Sequence, residues 1–291
     1  MKRALVMGGT RFFGVRLVEG LLEKGYDVTI ATRGVTSDSF GDRVNRLVID
    51  RDDLHASKES LQQPWDVVFD NICYASKDAM EAVEIFEGYV KKYVVTSSKS
   101  VYSSKENIGD YTEEHFEPVG YEIVINDKSA FAYDEGKRQV EAVFFQRASF
   151  PVVAVRFPIV LGDNDYTKRL DFYIEHILTD QPFKLDHPEA AMDFISEEEA
   201  GRFLVWAGEC DFVGPVNADA NGHVEMGELV RMIEEVTEKS AVIEEEGENS
   251  PYNLEKTWLI SNKLAESAGF QFTQLVDWLP GLIERRVNEL S

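Results

Sequence analysis

The sequence predicts an α/β protein: a Rossmann-type doubly wound parallel sheet with a smaller mixed α/β C-terminal substrate region. Short apolar runs alternate with helix-period segments over the first 160 residues, the pattern of parallel strands joined by crossover helices. The first of these runs, Ala4-Leu5-Val6-Met7, leads straight into Gly8-Gly9-Thr10-Arg11-Phe12-Phe13-Gly14 and then into an amphipathic helix. A polar, turn-rich stretch at 103–128 follows the fifth strand, long enough to suggest a functional loop.

Residues 4–7 form the first strand, apolar throughout as a buried parallel strand should be. Residues 12–24 carry helical periodicity, with Phe13, Leu17, Leu21 and Leu22 near one face and Gly25 as the stop. Strands follow at 27–32, 47–49 and 66–69, then an amphipathic helix at 77–90 and a fifth strand at 93–96. A helix at 130–148 leads to the sixth strand at 152–157. Beyond it, 167–179 reads as helix, and Ser196-Glu197-Glu198-Glu199 as a capping box opening a helix that runs to about Gly208. A short strand at 212–217 precedes helices at 226–239, 261–268 and 273–289, the last two separated by Gly269. We expect 1–160, joined by 191–217, to bind a dinucleotide, and 161–190 with 218–291 to bind the substrate. There is no repeat, low-complexity linker or clear boundary, so the two halves are expected to pack as one body.

Composition narrows the function. The 291 residues are 44% hydrophobic and 11% aromatic, enough for a large core. No run approaches the roughly 18 apolar residues of a membrane span. The apolar stretch after Met1-Lys2-Arg3 is too short for a signal peptide, so the expected location is the cytoplasm. Two distant cysteines, Cys73 and Cys210, and five histidines without ligand spacing argue against a disulfide framework or a metal site. A net charge of -23 repels nucleic acid and anionic membranes. The expected partner is therefore a small molecule.

The glycine turn has the context a dinucleotide requires: strand, tight turn, helix N-terminus. Pyrophosphate must approach backbone N–H groups where the helix dipole is positive, and a side chain at the closest points would block it. Gly8, Gly9, Thr10, Arg11, Phe12, Phe13 and Gly14 are the expected phosphate contacts. After the second strand stands Arg33, where an NAD binder usually carries an acidic residue for the ribose 2′-hydroxyl. Arg11 and Arg33 together favour a 2′-phosphate, hence NADP rather than NAD. Asp50, with Arg51 beside it, is placed to meet the adenine. Asn71 after the fourth strand and Phe157 at the end of the sixth are assigned to the same groove.

Tyr133-Asp134-Glu135-Gly136-Lys137 is Y-x-x-x-K on a predicted helix, which sets Tyr133 and Lys137 on one face. An ammonium there favours the ionised tyrosine and makes it a usable acid/base. A second such spacing, Tyr252 and Lys256, reads as chance, since nothing catalytic lies upstream of it. Ser98 ends the fifth strand, at the sheet edge where open α/β proteins bind ligands.

The ordered set Gly8, Gly14, Ser98, Tyr133 and Lys137 resembles the short-chain dehydrogenase/reductase superfamily. More narrowly, it is similar to the extended NAD-dependent epimerase/dehydratase branch acting on nucleotide sugars. Ser97-Ser98-Lys99-Ser100-Val101-Tyr102 matches that branch's SSxxVY, and Arg156 to Gly162 is similar to its RPxxxYG. Asp193-Phe194-Ile195 and Val216-Asn217 resemble its DFI and V-N strands. The turn GGTRFFG looks like that of an atypical GGxxxxG subgroup, which includes plastid RNA-binding relatives. Phe157, Leu161 and Asp163 depart from the pattern where substrate would bind. The resemblance implies hydride transfer with Tyr133 as acid/base, Lys137 on the nicotinamide ribose and Ser98 on the substrate oxygen. Reductase, epimerase and dehydratase remain open, as does a non-catalytic NADP(H) sensor or RNA-binding relative. Glu106, Asp110, Glu113 and Glu114 are candidates for an extra acid/base, with a solvated acidic loop as the plainer reading. The resemblance also allows a homodimer through helices 78–90 and 132–148, with Phe86, Val90, Phe144 and Phe145 as contacts or as ordinary core.

Overall fold

The computed structural model describes residues 1–103 and 109–291 of the chain. Among them, seven parallel strands form one sheet: β1 (Arg3–Met7), β2 (Asp27–Thr32), β3 (Asn45–Val48), β4 (Val67–Asp70), β5 (Tyr93–Ser98), β6 (Val152–Phe157) and β7 (Gly214–Asn217). Their order is β7-β6-β5-β4-β1-β2-β3. The chain therefore winds outward from β1 to β3, crosses back, and winds the other way from β4. That reversal between β1 and β4 opens a crevice at the carboxyl ends of the strands. Central strands are buried on both faces, as the Val-rich run Val152–Phe157 shows, so their sequences do not alternate. The outer strands differ. β3 exposes Asn45 and Arg46, and β7 carries Pro215, a residue that edge strands tolerate.

The longer helices are α1 (Phe13–Glu23), α2 (Ser76–Phe86), α3 (Tyr133–Arg147), α4 (Arg169–Leu178), α5 (Glu197–Glu209), α6 (Met226–Thr237) and α7 (Leu275–Leu290). α1 and α5 cover one face of the sheet, where Leu17, Val18, Phe203 and Leu204 meet Val6, Val94 and Val155. α2 and α3 cover the other, where Ala79, Phe86, Val140 and Phe144 meet Leu5, Val68 and Val95. A third apolar cluster gathers α4, α6 and α7 around Tyr173, Phe194, Leu229 and Leu282. None of the described helices is long and apolar enough to cross a membrane.

Most predicted elements stand within a few residues of their expected bounds, and the differences have local causes. α1 ends at a Schellman turn: Tyr26 N–H reaches Leu21 O, Gly25 N–H reaches Leu22 O, and Gly25 sits at φ +77°. The helix expected at 77–90 stops at Phe86, because Tyr89 O accepts from Trp65 N–H and Val90 bridges to Trp65 ahead of β4. The predicted capping box at Ser196 is half made. Ser196 Oγ accepts from Glu199 N–H, but the Glu199 carboxylate is taken by Thr273. Short strands that sequence periodicity did not show pair Phe194–Ser196 with Ile159–Leu161 and Leu259–Ile260 with Asp110–Tyr111.

Residues 118–126, part of the predicted loop at 103–128, lie across α2 and α3. Gln139 donates to Glu122 O, Gln146 donates to Pro118 O and Tyr121 O, and Ser76 donates to Val124 O. Phe86 and Phe144 are 0% and 1% exposed and belong to the core, which removes both as contacts for a second subunit.

Candidate functional site

The turn after β1 is shaped for a phosphate. Gly8 adopts φ +84°, and a Cβ on Gly14 would lie 2.5 Å from Gly8 O, so only glycine lets α1 start this close to the strand. Phe12 at the N-cap has φ 51° and offers no side-chain cap; Gly14 N–H and Val15 N–H are taken by Arg11 O and Phe12 O, so what the turn presents to an anion is the positive end of the helix dipole. Arg11 is exposed on the outer side of the turn and donates to Thr36 Oγ1 at 3.2 Å. With Thr10, Arg16, Ser37, Ser39 and Tyr166 it lines a cavity of about 560 Å³. Arg33 is exposed just beyond β2.

The floor of the crevice is a chain of hydrogen bonds across three neighbouring strands. Asn71, just past β4, donates to Gly8 O at 3.4 Å and accepts from Thr96 Oγ1 at 2.8 Å. Thr96 O in turn accepts from Lys137 Nζ at 2.8 Å, and Cys73 O accepts from the same ammonium at 2.9 Å. Lys137 is 1% exposed, and these two bonds use two of its three N–H donors. Its charge faces the Tyr74 ring at 4.5 Å and the Tyr133 ring at 5.8 Å. Tyr133, by contrast, is 57% exposed and opens on the crevice. Ser98, half-buried two residues after Thr96, accepts from Ser100 N–H at 3.2 Å. Gly136 is what lets α3 come so near, since a Cβ there would sit 2.5 Å from Tyr74 O. The structure thus brings Gly8, Asn71, Ser98, Tyr133 and Lys137 to the carboxyl edge of the sheet, with Arg11 on the cavity beside the turn and Arg33 exposed after β2.

Two assignments are corrected. Arg51 does not reach the groove. It is 7% exposed and donates to the buried Asp70 carboxylate at 3.0 Å and to Asp78 O at 2.9 Å. A carboxylate at 0% exposure must be paired, and Asp70 claims this guanidinium together with the Tyr93 hydroxyl. Phe157 is 3% exposed and packs on Phe13 at 5.7 Å and Phe203 at 6.3 Å, so it supports the turn from behind. Asp50 remains exposed at the end of β3, where its carboxylate accepts from Asp52 N–H.

Behind Ser98 lies a buried ionic network. Glu141, one turn beyond Lys137, accepts from Ser97 Oγ at 2.5 Å and pairs with Arg156 at 2.6 Å, both charges being fully buried. Arg156 also donates to Tyr102 Oη, Glu113 O and Phe116 O, and Tyr102 donates to Asn217. The network joins β5, α3, β6, β7 and the segment at 113–116.

Sequence reasoning missed Tyr74 and Tyr166. Tyr74 follows β4 at the carboxyl edge of the sheet, a position that itself marks ligand contacts. Tyr166 meets Phe12 edge-on at 6.1 Å from a loop with no sequence signal. Glu106 lies outside the described residues. Glu113 accepts from Asn217 N–H and its carboxyl is pushed up by burial; Glu114 is exposed; Asp110 sits on a short strand away from Tyr133. Tyr252 is buried and stacked on Tyr173, in keeping with a chance spacing to Lys256.

Residues 4–221 match the model of the NAD dependent epimerase/dehydratase family. A curated relative, the chloroplast stem-loop binding protein of 41 kDa b from Arabidopsis thaliana, is 32% identical over 133 residues. That match spans 40% of this chain and 34% of the plant protein, about a third of its length. Among solved structures, UDP-glucose 4-epimerase from Thermotoga maritima with UDP-glucose superposes at TM-score 0.77, with 16% identity over 98% of this chain and 97% of that one. UDP-glucuronic acid 4-epimerase from Bacillus cereus with NAD gives 0.75, with 18% identity over 99% and 96%. dTDP-glucose 4,6-dehydratase from Bacillus anthracis with NAD gives 0.72, with 16% identity over 99% and 96%. At such identities the likeness is one of fold.

Proposed function

The chain belongs to the NAD dependent epimerase/dehydratase family, an enzyme family of the extended short-chain dehydrogenase/reductase type, and we propose that it acts on a nucleotide sugar or a related alcohol or carbonyl with NADP as its dinucleotide. The observation that carries this reading is the buried Lys137 ammonium beneath an exposed Tyr133, in the crevice that begins at the glycine turn. In this reading residues 1–160 with 191–217 hold the dinucleotide, and 161–190 with 218–291 hold the substrate.

The residues divide the work. The positive N-terminus of α1 and the glycine turn before it bind the pyrophosphate, and Asn71 with the Gly8 carbonyl shapes the floor beneath it. The dinucleotide, when bound, supplies reversible two-electron oxidation of the substrate carbon. Tyr133 moves the proton of the substrate hydroxyl, and the Lys137 charge stabilises the oxygen that loses it. The unused N–H of Lys137 is available to a ribose hydroxyl. Ser98 Oγ orients the substrate oxygen. The solved relatives that carry UDP-glucose or NAD in this fold support the substrate class and the dinucleotide. Arg11 and Arg33 support the choice of NADP, since two exposed guanidinium groups flank β2 and suit a phosphate.

Two measurements test this. Nucleotide released on denaturing the washed protein should be NADP; retention implies an epimerase- or dehydratase-type cycle, and an empty site with NADPH affinity implies a reductase. Binding to neither dinucleotide, with binding to an RNA stem-loop, would overturn the reading in favour of stem-loop binding, as the plant relative is named for. The variant Arg33→Asp should weaken NADPH binding about tenfold, the scale of one charge-assisted bond, and leave NADH binding unchanged. Equal losses for both cofactors would remove the 2′-phosphate assignment.

A further inference from the structure

Away from the crevice, a second cavity of about 140 Å³ lies between the turn after β7 and the segment Leu259 to Lys263. Asp219 lines it, 5% exposed, and its Oδ1 is buried without a hydrogen-bond partner. The nearest buried cation is already spent: Lys99 Nζ holds Asp193 at 2.5 Å and Trp258 O at 3.0 Å. The second oxygen of Asp193 is likewise used, by Ile260 N–H at 2.6 Å. Asp110 stands at the mouth, and Lys263 and His223 are exposed on the rim. Lys99 and Asp193 pair with each other, and among the described residues no hydrogen bond or ion pair reaches Asp219 Oδ1, the other basic side chains at the cavity being the exposed Lys263 and His223. Burial first, then the Asp193 charge, push the Asp219 carboxyl well above the usual range, which is the signature of a charge left uncompensated.

We infer that this cavity binds a hard monovalent cation, an alkali-metal ion held by the Asp219 and Asp110 carboxylates and by water. Carboxylate and water oxygens are hard donors, and the cavity of about 140 Å³ takes an ion with several waters. Among the described residues no group of three or more acidic, His or Cys side chains is placed to hold a metal ion, so protein ligands are few and water would fill most of the ion's shell. The ion would add a further tie between three segments: Asp110–Tyr111, the turn at 219–223, and Leu259–Ile260. Tyr111 stacks at 5.1 Å on Tyr102, four residues after Ser98, so occupancy would steady the wall next to Ser98.

The test is thermal unfolding of the full chain in KCl, NaCl, NH4Cl and choline chloride at equal ionic strength, for the wild type and Asp219→Asn. The expected result is a higher Tm in potassium or sodium than in choline for the wild type. The variant should melt higher than the wild type in choline and lose the difference between salts. Equal Tm in all salts, or a difference that persists in the variant, overturns the site; stabilisation by ammonium alone reassigns it to an amine. Broadening of the sodium-23 resonance by wild-type protein, reversed by added potassium, supports the site without relying on the variant's folding, and its absence counts against it.

Discussion

Tyr133→Phe leaves a folded protein that binds dinucleotide as before and turns substrate over about 10²–10⁴-fold more slowly, the usual contribution of one positioned acid/base. The stability half of this expectation follows from exposure. Tyr133 is 57% exposed at the first turn of α3, so little packing depends on its hydroxyl. The loss should fall on kcat with little change in KM, because the proton moves only in the transition state. Rapid-mixing measurement of the chemical step with saturating cofactor reads it directly. A variant with wild-type turnover would show that Tyr133 is not the acid/base. Lys137 cannot be probed so cleanly. Its removal strands the carbonyls of Cys73 and Thr96 in the core, so activity and stability fall together.

Glu141→Ala should destabilise the fold by about 3–5 kcal/mol, the cost of leaving a buried charge without its partner. Arg156 would keep Tyr102 and two backbone carbonyls but lose the only carboxylate it touches among the described residues. Urea unfolding at constant m-value measures the loss. The double variant Glu141→Leu with Arg156→Met should recover most of it, since neither charge then remains buried. A loss below about 1 kcal/mol in the single variant would place the pair among weak surface-like bridges. Because Ser97 also donates to Glu141, Ser98 should shift as well, and activity of the single variant should fall even where it is fully folded.

What was legible in the sequence was whatever local geometry dictates. Gly8 and Gly14 announce a turn that admits no side chain, and Tyr133 with Lys137 announces one helix face; both survive in the structure. What was hidden depends on partners distant in the chain. Arg51 follows a strand end just as a cofactor contact would, and only the burial of Asp70 explains why it turns inward. Phe157 likewise ends a strand at the crevice, yet Phe13 and Phe203 draw it into the core. The capping box at Ser196 was read from spacing, and Thr273, far along the chain, took its carboxylate. The cavity at Asp219 was invisible for the same reason, since its walls come from three separated segments.

The row of hydrogen bonds from Gly8 O through Asn71 and Thr96 to Lys137 has a metric consequence. It runs across β1, β4 and β5, neighbours in the sheet and each about 4.8 Å from the next. The glycine turn and the Lys137 ammonium are therefore held apart by the lateral pitch of the sheet itself, a spacing of about 10 Å that no side-chain rotation can alter. On the proposed reading that spacing acts as a gauge: a mononucleotide would engage one end and leave the other empty, and a molecule of dinucleotide length would register at both.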